Sequence, residues 1–189
     1  REEDYIPLAV DVNASYDITL IVDLSTLVSL EAFLHSLDNV HPIPTGVQIT
    51  VDQVVIGSCT NSSYTDLMIL AKMLEGKKVH PAVSLVLSPG ASNIMTMISE
   101  NGALATLISA GARVLESSCG PCIGMRQAPK SDGISLRTFN RNFKGRCGTT
   151  NSSVYLVSTE TAAASAITGY FTDPRTVGEA IHVDAPEQY

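Results

Sequence analysis

The sequence lacks the features of membrane-spanning, exported and nucleic-acid-binding proteins. No stretch approaches the roughly 18 consecutive apolar residues of a membrane span, and the opening residues Arg1–Tyr5 do not form an export signal. Lys and Arg total 12 against 19 Asp and Glu, which gives a net charge of −7, and no basic run occurs. We therefore expect neither a membrane nor a nucleic acid as the partner of this chain.

Charged and aromatic residues are scarce. Only 16% of the residues are charged, 5% are aromatic and none is Trp, whereas 44% are hydrophobic. This composition fills the core of one domain, but it is poor in charge for a free-standing surface. The chain also opens without Met. We predict that residues 1–189 form a single domain excised from a larger protein, with part of its surface covered by a partner or by the rest of that protein.

Apolar runs alternate with helical patterns along the chain. The predicted strands are Ile18–Val22, Val54–Ile56, Val83–Leu87, Arg113–Leu115 and Val154–Val157. The predicted helices run from Ser62 or Ser63 to about Leu74 and over Ser92–Glu100, Ala103–Ala110 and Thr159–Ile167. Segments 38–53 and 126–137 are predicted to be irregular. Continuous apolar strands in strand–helix alternation indicate a doubly wound α/β fold, with a mostly parallel sheet and helices on both faces.

Three cysteines follow predicted strands. Cys59 lies in a loop of small residues after Val54–Ile56, and Cys119 and Cys122 enclose Gly-Pro after Arg113–Leu115. Because ligand sites in open α/β sheets lie outside the carboxyl ends of the strands, both loops are expected at the same edge. Two thiols at i and i+3 suit a metal centre or a redox disulfide. Without an export signal, we expect reduced thiols in the cytoplasm.

Three chemistries compete for these thiols. Thiol–disulfide oxidoreductases use Cys-Gly-Pro-Cys, but there the motif follows a Trp early in the chain, whereas here it follows two serines past mid-chain. A zinc site would add Cys147, which adjoins Arg146 and so suits a substrate pocket better than a closed structural site. An iron–sulfur cluster on three cysteines would leave one iron open as a Lewis acid, with Asn61 donating to its sulfides.

Two arginines frame a turn further along the chain. Arg141 and Arg146 enclose Asn-Phe-Lys-Gly, and Asn140 precedes them. A pair of solvated surface arginines is the simplest interpretation. However, Phe143 predicts that the turn is anchored, and Gly145 predicts a bend that aims Arg146. Since planar guanidinium groups bind carboxylates bidentately, the pair predicts a site for a di- or tricarboxylic acid.

Three motifs resemble the signatures of the aconitase superfamily, which includes aconitase, homoaconitase and the large subunit of isopropylmalate dehydratase. They are Ile56–Ser62, Cys119–Gly124 and Asn140–Arg146, and the likeness in order and spacing covers roughly Val10 to Gly178. The resemblance implies that Cys59, Cys119 and Cys122 bind a [4Fe-4S] cluster. It also implies that Arg141 and Arg146 bind substrate carboxylates and that Asn140 lies near the cluster.

The resemblance implies that this chain is the third α/β domain of a larger enzyme. The family's two preceding domains and its swivelling domain, which supplies the catalytic serine base, have no match here. We therefore expect no catalytic base in this chain, and the remaining domains are expected partners. Leu136–Phe139 and Val154–Ser158 favour an aconitate hydratase of the tricarboxylic acid cycle, converting citrate to isocitrate through cis-aconitate. The alternative is homoaconitase or 3-isopropylmalate dehydratase. Some relatives without a cluster bind RNA, which the charge of −7 argues against.

Overall fold

A computed structural model describes residues 6–44, 46–184 and 186, and its centre is a seven-stranded sheet. The strands are β1 (Leu30–Ala32), β2 (Val40–Pro42), β3 (Gln53–Gly57), β4 (Ser84–Ser88), β5 (Arg113–Val114), β6 (Ile134–Arg137) and β7 (Ser153–Leu156). Their spatial order is β2-β1-β7-β6-β3-β4-β5. Strands β3 to β7 pair in parallel, and β1 and β2 extend the β7 edge in antiparallel pairing. The predicted α/β class with a mostly parallel sheet is confirmed.

Four α-helices follow the predicted boundaries closely. They are α1 (Tyr64–Leu74), α2 (Ser92–Glu100), α3 (Ala103–Ala110) and α4 (Thr159–Thr168). Ser63 and Asp66 form a reciprocal capping box that begins α1. Gly111 and Gly169 end α3 and α4 in the left-handed conformation that glycine adopts without strain. None of the helices in the described ranges has the length and apolar character needed to cross a bilayer.

The two faces of the sheet bury different sets of side chains. All four α-helices contribute to the larger cluster, which also contains Val54 and Ile56 of β3. The intervening residue Val55 points the other way and joins a smaller cluster, against which Cys122 packs. Cys122 belongs to a short 3-10 helix, Gly120–Ile123. The second face of the sheet is therefore covered in part by the loop that carries the Cys-Gly-Pro-Cys motif.

Three sequence-based assignments of local structure are wrong. The run Ile18–Val22 forms no strand and lies exposed, with Ile21 91% accessible. Conversely, the segments predicted to be irregular contain β2 and β6. The sequence pattern does not predict β6, because this strand carries the polar residues Ser135 and Arg137. Both side chains are fully buried, and the hydrogen bonds that allow their burial are not visible in a local pattern.

A buried glutamate links β1 to α4. Glu31 is only 3% exposed, and its Oε1 accepts a hydrogen bond from Thr161 Oγ1 at 2.8 Å. Burial raises the pKa of Glu31 to about 7, against the opposing effect of hydrogen bonds from Thr161 and the Ser158 backbone. Between about pH 4.5 and about pH 7, Glu31 keeps its proton in the folded protein, whereas in the unfolded chain the same carboxyl has already released it.

We expect the free energy of unfolding to fall as pH rises from about 4.5 to about 7. In that window the unfolded chain binds fewer protons than the folded protein, so the slope of stability against pH is negative. The full cost above this window is on the order of 3 kcal/mol. Glu31→Gln keeps an acceptor for Thr161 without the charge, and it is expected to remove this component. Urea unfolding of both proteins at about pH 5 and about pH 8 measures the difference, and an equal loss of stability in both would contradict the assignment.

Candidate metal centre

The direction of strand addition reverses between β3 and β6. From β3 the chain adds β4 and β5 on one side, and then it returns to add β6 and β7 on the other. In open parallel sheets, the carboxyl ends of the strands beside such a reversal form the crevice where ligands bind. The loop after β3 carries Cys59, and the turn after β6 carries Asn140–Arg146. Two of the three motifs therefore begin at the crevice.

Hydrogen bonds join the loops that follow β3 and β6. The backbone N–H of Gly57 donates to Thr138 Oγ1 at 3.0 Å, and Asn140 Nδ2 donates to Thr60 Oγ1 at 3.3 Å. The Asn61 side chain donates to the Thr138 carbonyl. Asn61 was expected to donate to cluster sulfides, but in the structure its amide ties the two loops together. These contacts hold Asn140 beside the Cys59 loop.

The strand next to β3 supports the Cys-Gly-Pro-Cys turn. Ser88, at the end of β4, donates from its hydroxyl to the carbonyls of Glu116 and Ser118, at 3.2 Å each. The turn ends at Gly124, whose φ is +83°. A Cβ at this position would lie 2.2 Å from the Cys147 carbonyl oxygen, so only glycine fits. The backbone around Cys119 and Cys122 is therefore fixed from both ends.

The four thiols differ in accessibility and surroundings. Cys59 and Cys119 are exposed, Cys122 is half-buried and Cys147 is buried. Burial raises the pKa of Cys122, and the neighbouring thiols of Cys119 and Cys59 raise it further, while Arg146 and Arg137 oppose the rise. The Cys119 and Cys59 thiols thus lie near enough to Cys122 to affect its ionisation. The pKa of Cys147 is also raised by burial, and the charges that act on it are those of Arg137 and Arg146.

This donor set differs from that of a closed single-ion site. Across residues 6–44, 46–184 and 186, no three His, Cys, Asp or Glu side chains stand close enough to hold one metal ion. Cys147 packs inside the domain, whereas Cys59 and Cys119 open to solvent. A cluster places each thiolate on a different iron, so it accepts sulfurs that stand farther apart. Two exposed thiols and a half-buried one on the loops around a crevice suit this kind of group better than a four-cysteine zinc site.

The arginine turn is held by a residue that the sequence did not single out. Phe143 was predicted to anchor the turn, but it is 51% exposed. Asn142 is buried instead, and its Nδ2 donates to the Phe33 carbonyl at 2.7 Å. A polar residue between an exposed Arg and an exposed Phe carries no local sign of burial, because its partner is more than a hundred residues away in the chain.

The two arginines of the turn have different surroundings. Gly145 has a φ of +77°, as the predicted bend requires. The half-buried Arg146 places its guanidinium carbon 5.4 Å from the Phe143 ring centroid, a cation–π distance, and its charge reaches Cys122. Arg141 is exposed and donates from Nη1 to the Asn140 carbonyl at 2.6 Å. Of the pair, Arg146 is the one whose charge opposes the raised pKa of Cys122.

Comparison with known proteins identifies the group to which this chain is related. The sequence pattern of the aconitase family (aconitate hydratase) matches residues 31–169. The 3-isopropylmalate dehydratase large subunit 2 of Archaeoglobus fulgidus is 39% identical, over 93% of this chain and 42% of its own length. Large subunit 1 of the Thermotoga maritima enzyme is 42% identical, over 93% and 43%. The homoaconitase large subunit of Thermus thermophilus is 39% identical, over 89% and 41%.

This chain thus spans about two-fifths of the length of the curated relatives that it matches. The family pattern covers well over half of the chain, and it includes all three motifs. The chain therefore belongs to the aconitase family.

Proposed function

We propose that this chain is the cluster-bearing part of a hydro-lyase that dehydrates and rehydrates a 2-hydroxy di- or tricarboxylic acid. The observation that carries this proposal is that two motifs of an aconitase-family chain lie at a crevice where the direction of strand addition reverses. The Cys59 loop and the arginine turn leave adjacent strands at a reversal of the sheet. Cys122 is electrostatically coupled to Cys59, Cys119 and Arg146.

Cys59, Cys119 and Cys122 would hold a [4Fe-4S] cluster. Burial raises the pKa of the Cys122 thiol and the neighbouring thiols of Cys119 and Cys59 raise it further, and bound iron would offset these effects by stabilising the thiolate. When bound, the cluster would supply an iron without a protein ligand, which acts as a Lewis acid toward the substrate hydroxyl. Arg146 would bind a substrate carboxylate through its planar fork, with Arg141 as a second, more mobile contact and Asn140 beside the cluster.

The relatives favour one substrate class over another. The sequence alone favoured citrate and isocitrate, whereas the relatives from A. fulgidus and T. maritima are named 3-isopropylmalate dehydratase and that from T. thermophilus is named homoaconitase. We therefore propose a 3-isopropylmalate or homoaconitate type of substrate in preference to citrate. 3-Isopropylmalate is a 2-hydroxy dicarboxylic acid and homoaconitate is an unsaturated tricarboxylic acid, so each carries at least the two carboxylates that the arginine turn suits.

The active unit is proposed to be larger than this chain. Since the relatives are named large subunits, we infer a small-subunit partner, together with further domains of the same enzyme, as the source of the catalytic serine base. Ile123, Met125 and Phe143 expose apolar side chains on the loops of the site, as expected of a surface that another domain covers. The four free cysteines favour a reducing compartment such as the cytoplasm.

The experiment is anaerobic reconstitution of the 189-residue chain with iron and sulfide. We expect a broad absorption band at about 400 nm and about four irons per chain. Adding 3-isopropylmalate is expected to perturb the spectrum of the reduced cluster, because its carboxylates would bind Arg146 beside the cluster. A chain that binds no iron and sulfide, or that yields a colourless redox-active dithiol, would overturn the proposal.

The reconstituted chain by itself is expected to show negligible turnover of 3-isopropylmalate, homoaconitate or citrate. Proton abstraction needs a positioned base, and the family's serine has no match in this sequence. Steady-state assays that follow formation of the unsaturated intermediate measure this directly. Robust turnover by the purified chain would show that a base is present within it.

A further inference from the structure

A fully buried arginine lies beneath the Cys-Gly-Pro-Cys turn. Arg137, at the end of β6, is 0% exposed. Its Nη1 donates to the Pro121 carbonyl at 2.7 Å, and its Nη2 donates to the Gln127 carbonyl at 2.6 Å. On the sheet side, Nε donates to Ser135 Oγ at 3.0 Å and Nη2 to Gln53 Oε1 at 2.9 Å. The guanidinium thus connects two points on the turn to two points on the sheet.

Every one of these acceptors is neutral. No salt bridge among the residues that the structure describes involves Arg137. A buried guanidinium remains protonated, and burying a charge without a counter-charge is costly. Burial lowers the pKa of Arg137, and the groups that oppose this effect are the thiols of Cys147 and Cys122. A thiolate-bound cluster held by the neighbouring turn would supply the negative charge that this cation lacks.

We propose that Arg137 is a positioning residue for the metal centre, which clamps the backbone that carries Cys122 and supplies a positive charge beneath a thiolate-bound cluster. The proposal rests on the proposed function, because it requires a cluster at Cys59, Cys119 and Cys122. Pro121 directly precedes Cys122, so the bond to its carbonyl fixes the peptide from which that ligand projects. The Phe139 ring, 5.4 Å from the guanidinium carbon, and Cys122 pack in the same cluster.

Two variants separate the hydrogen bonds that Arg137 donates to the turn from the positive charge of its guanidinium. Arg137→Lys keeps the charge but replaces a five-donor fork with one ammonium, which cannot reach all four acceptors. Gln53→Glu keeps an acceptor for Nη2 and gives Arg137 a carboxylate counter-charge. Arg113→Lys is the matched control, because Arg113 is exposed on the edge strand β5. All three proteins are reconstituted anaerobically beside the wild-type chain.

For Arg137→Lys, we expect a chelator to remove iron at least about tenfold faster than from wild type, the usual scale for outer-shell partners of metal ligands. Arg113→Lys is expected to match wild type. For Gln53→Glu, we expect normal cluster retention and a more negative reduction potential, because added negative charge disfavours the reduced cluster. Unchanged iron release in Arg137→Lys would overturn the clamp, and an unchanged potential in Gln53→Glu would overturn the role of the charge.

Failure of the proposed function has a different signature. If the wild-type chain bound no iron and sulfide, the cluster assignment would fall, and the role of Arg137 toward a cluster would fall with it. Amide hydrogen exchange at Cys122 and Gly124 in the metal-free chain then shows whether the clamp is real, since it is expected to be faster in Arg137→Lys. If Arg137→Lys did not fold, Ser135→Ala removes a single acceptor from the same guanidinium and is expected to give a smaller change in the same direction.

Discussion

Cys122→Ser is expected to abolish assembly of the iron–sulfur cluster. A serine hydroxyl does not ionise near neutral pH as a thiol does, and it is a poor ligand for iron beside sulfide. Cys122 is also the half-buried thiol of the proposed donor set, and it packs against the smaller cluster on the second face of the sheet. We expect no absorption band at about 400 nm and less than about one iron per chain after reconstitution.

Cys147→Ala is the matched control for this experiment. Cys147 is a free thiol in the same domain, but it is 2% exposed, and it is the backbone of this residue that packs against Gly124. We expect this variant to keep a full complement of iron. Loss of metal in both variants would indicate a four-cysteine zinc-type site instead. Full iron content in Cys122→Ser would remove Cys122 from the ligand set.

Arg146→Lys is expected to lower kcat/KM of the complete enzyme about ten- to a hundredfold. Lysine keeps the charge but loses the planar fork, and the difference between a bidentate and a single charged hydrogen bond is on the order of 1.5–3 kcal/mol. The structure strengthens this expectation, because Arg146 is half-buried over Phe143 and its charge reaches Cys122. Lysine cannot reproduce the stacking on the ring.

Steady-state kinetics with 3-isopropylmalate, at matched iron content, measures the effect. Lys144→Gln serves as the control, since Lys144 is exposed in the same turn and is expected to leave kcat/KM within about twofold. If Arg146→Lys behaved like Lys144→Gln, Arg146 would lie outside the substrate pocket and would be an ordinary surface arginine.

Local chemistry explains why the helices and the family could be predicted. Helix ends depend on residues a few positions apart, such as the Ser63–Asp66 capping box and the glycines after α3 and α4. The three motifs are equally local, because each one lies within seven consecutive residues. Even the expectation that the cysteine loops share an edge needed only the order of strands and helices.

Strands and buried polar contacts could not be predicted from short stretches of sequence. Ile18–Val22 has the composition of a strand, but a strand also needs a neighbour, and in the structure this segment has none within the described residues. Strand β6 has polar residues that look unsuited to an interior, but Gln53, some eighty positions away, satisfies them. Phe143 was chosen as the anchor of its turn because it is apolar, whereas Asn142 performs that role through a carbonyl more than a hundred positions distant.

Residue type and short spacing were enough to predict the α/β class, the helix boundaries, the family and the residues proposed to bind the cluster and the carboxylates. The folded chain was needed to show that the β3 and β6 loops flank a reversal of the sheet, that Thr138 and Asn61 join these loops, and that Arg137 lies buried next to Pro121. These features escape a local pattern because a buried polar group is stable only with its partners, and folding brings those partners from distant parts of the chain.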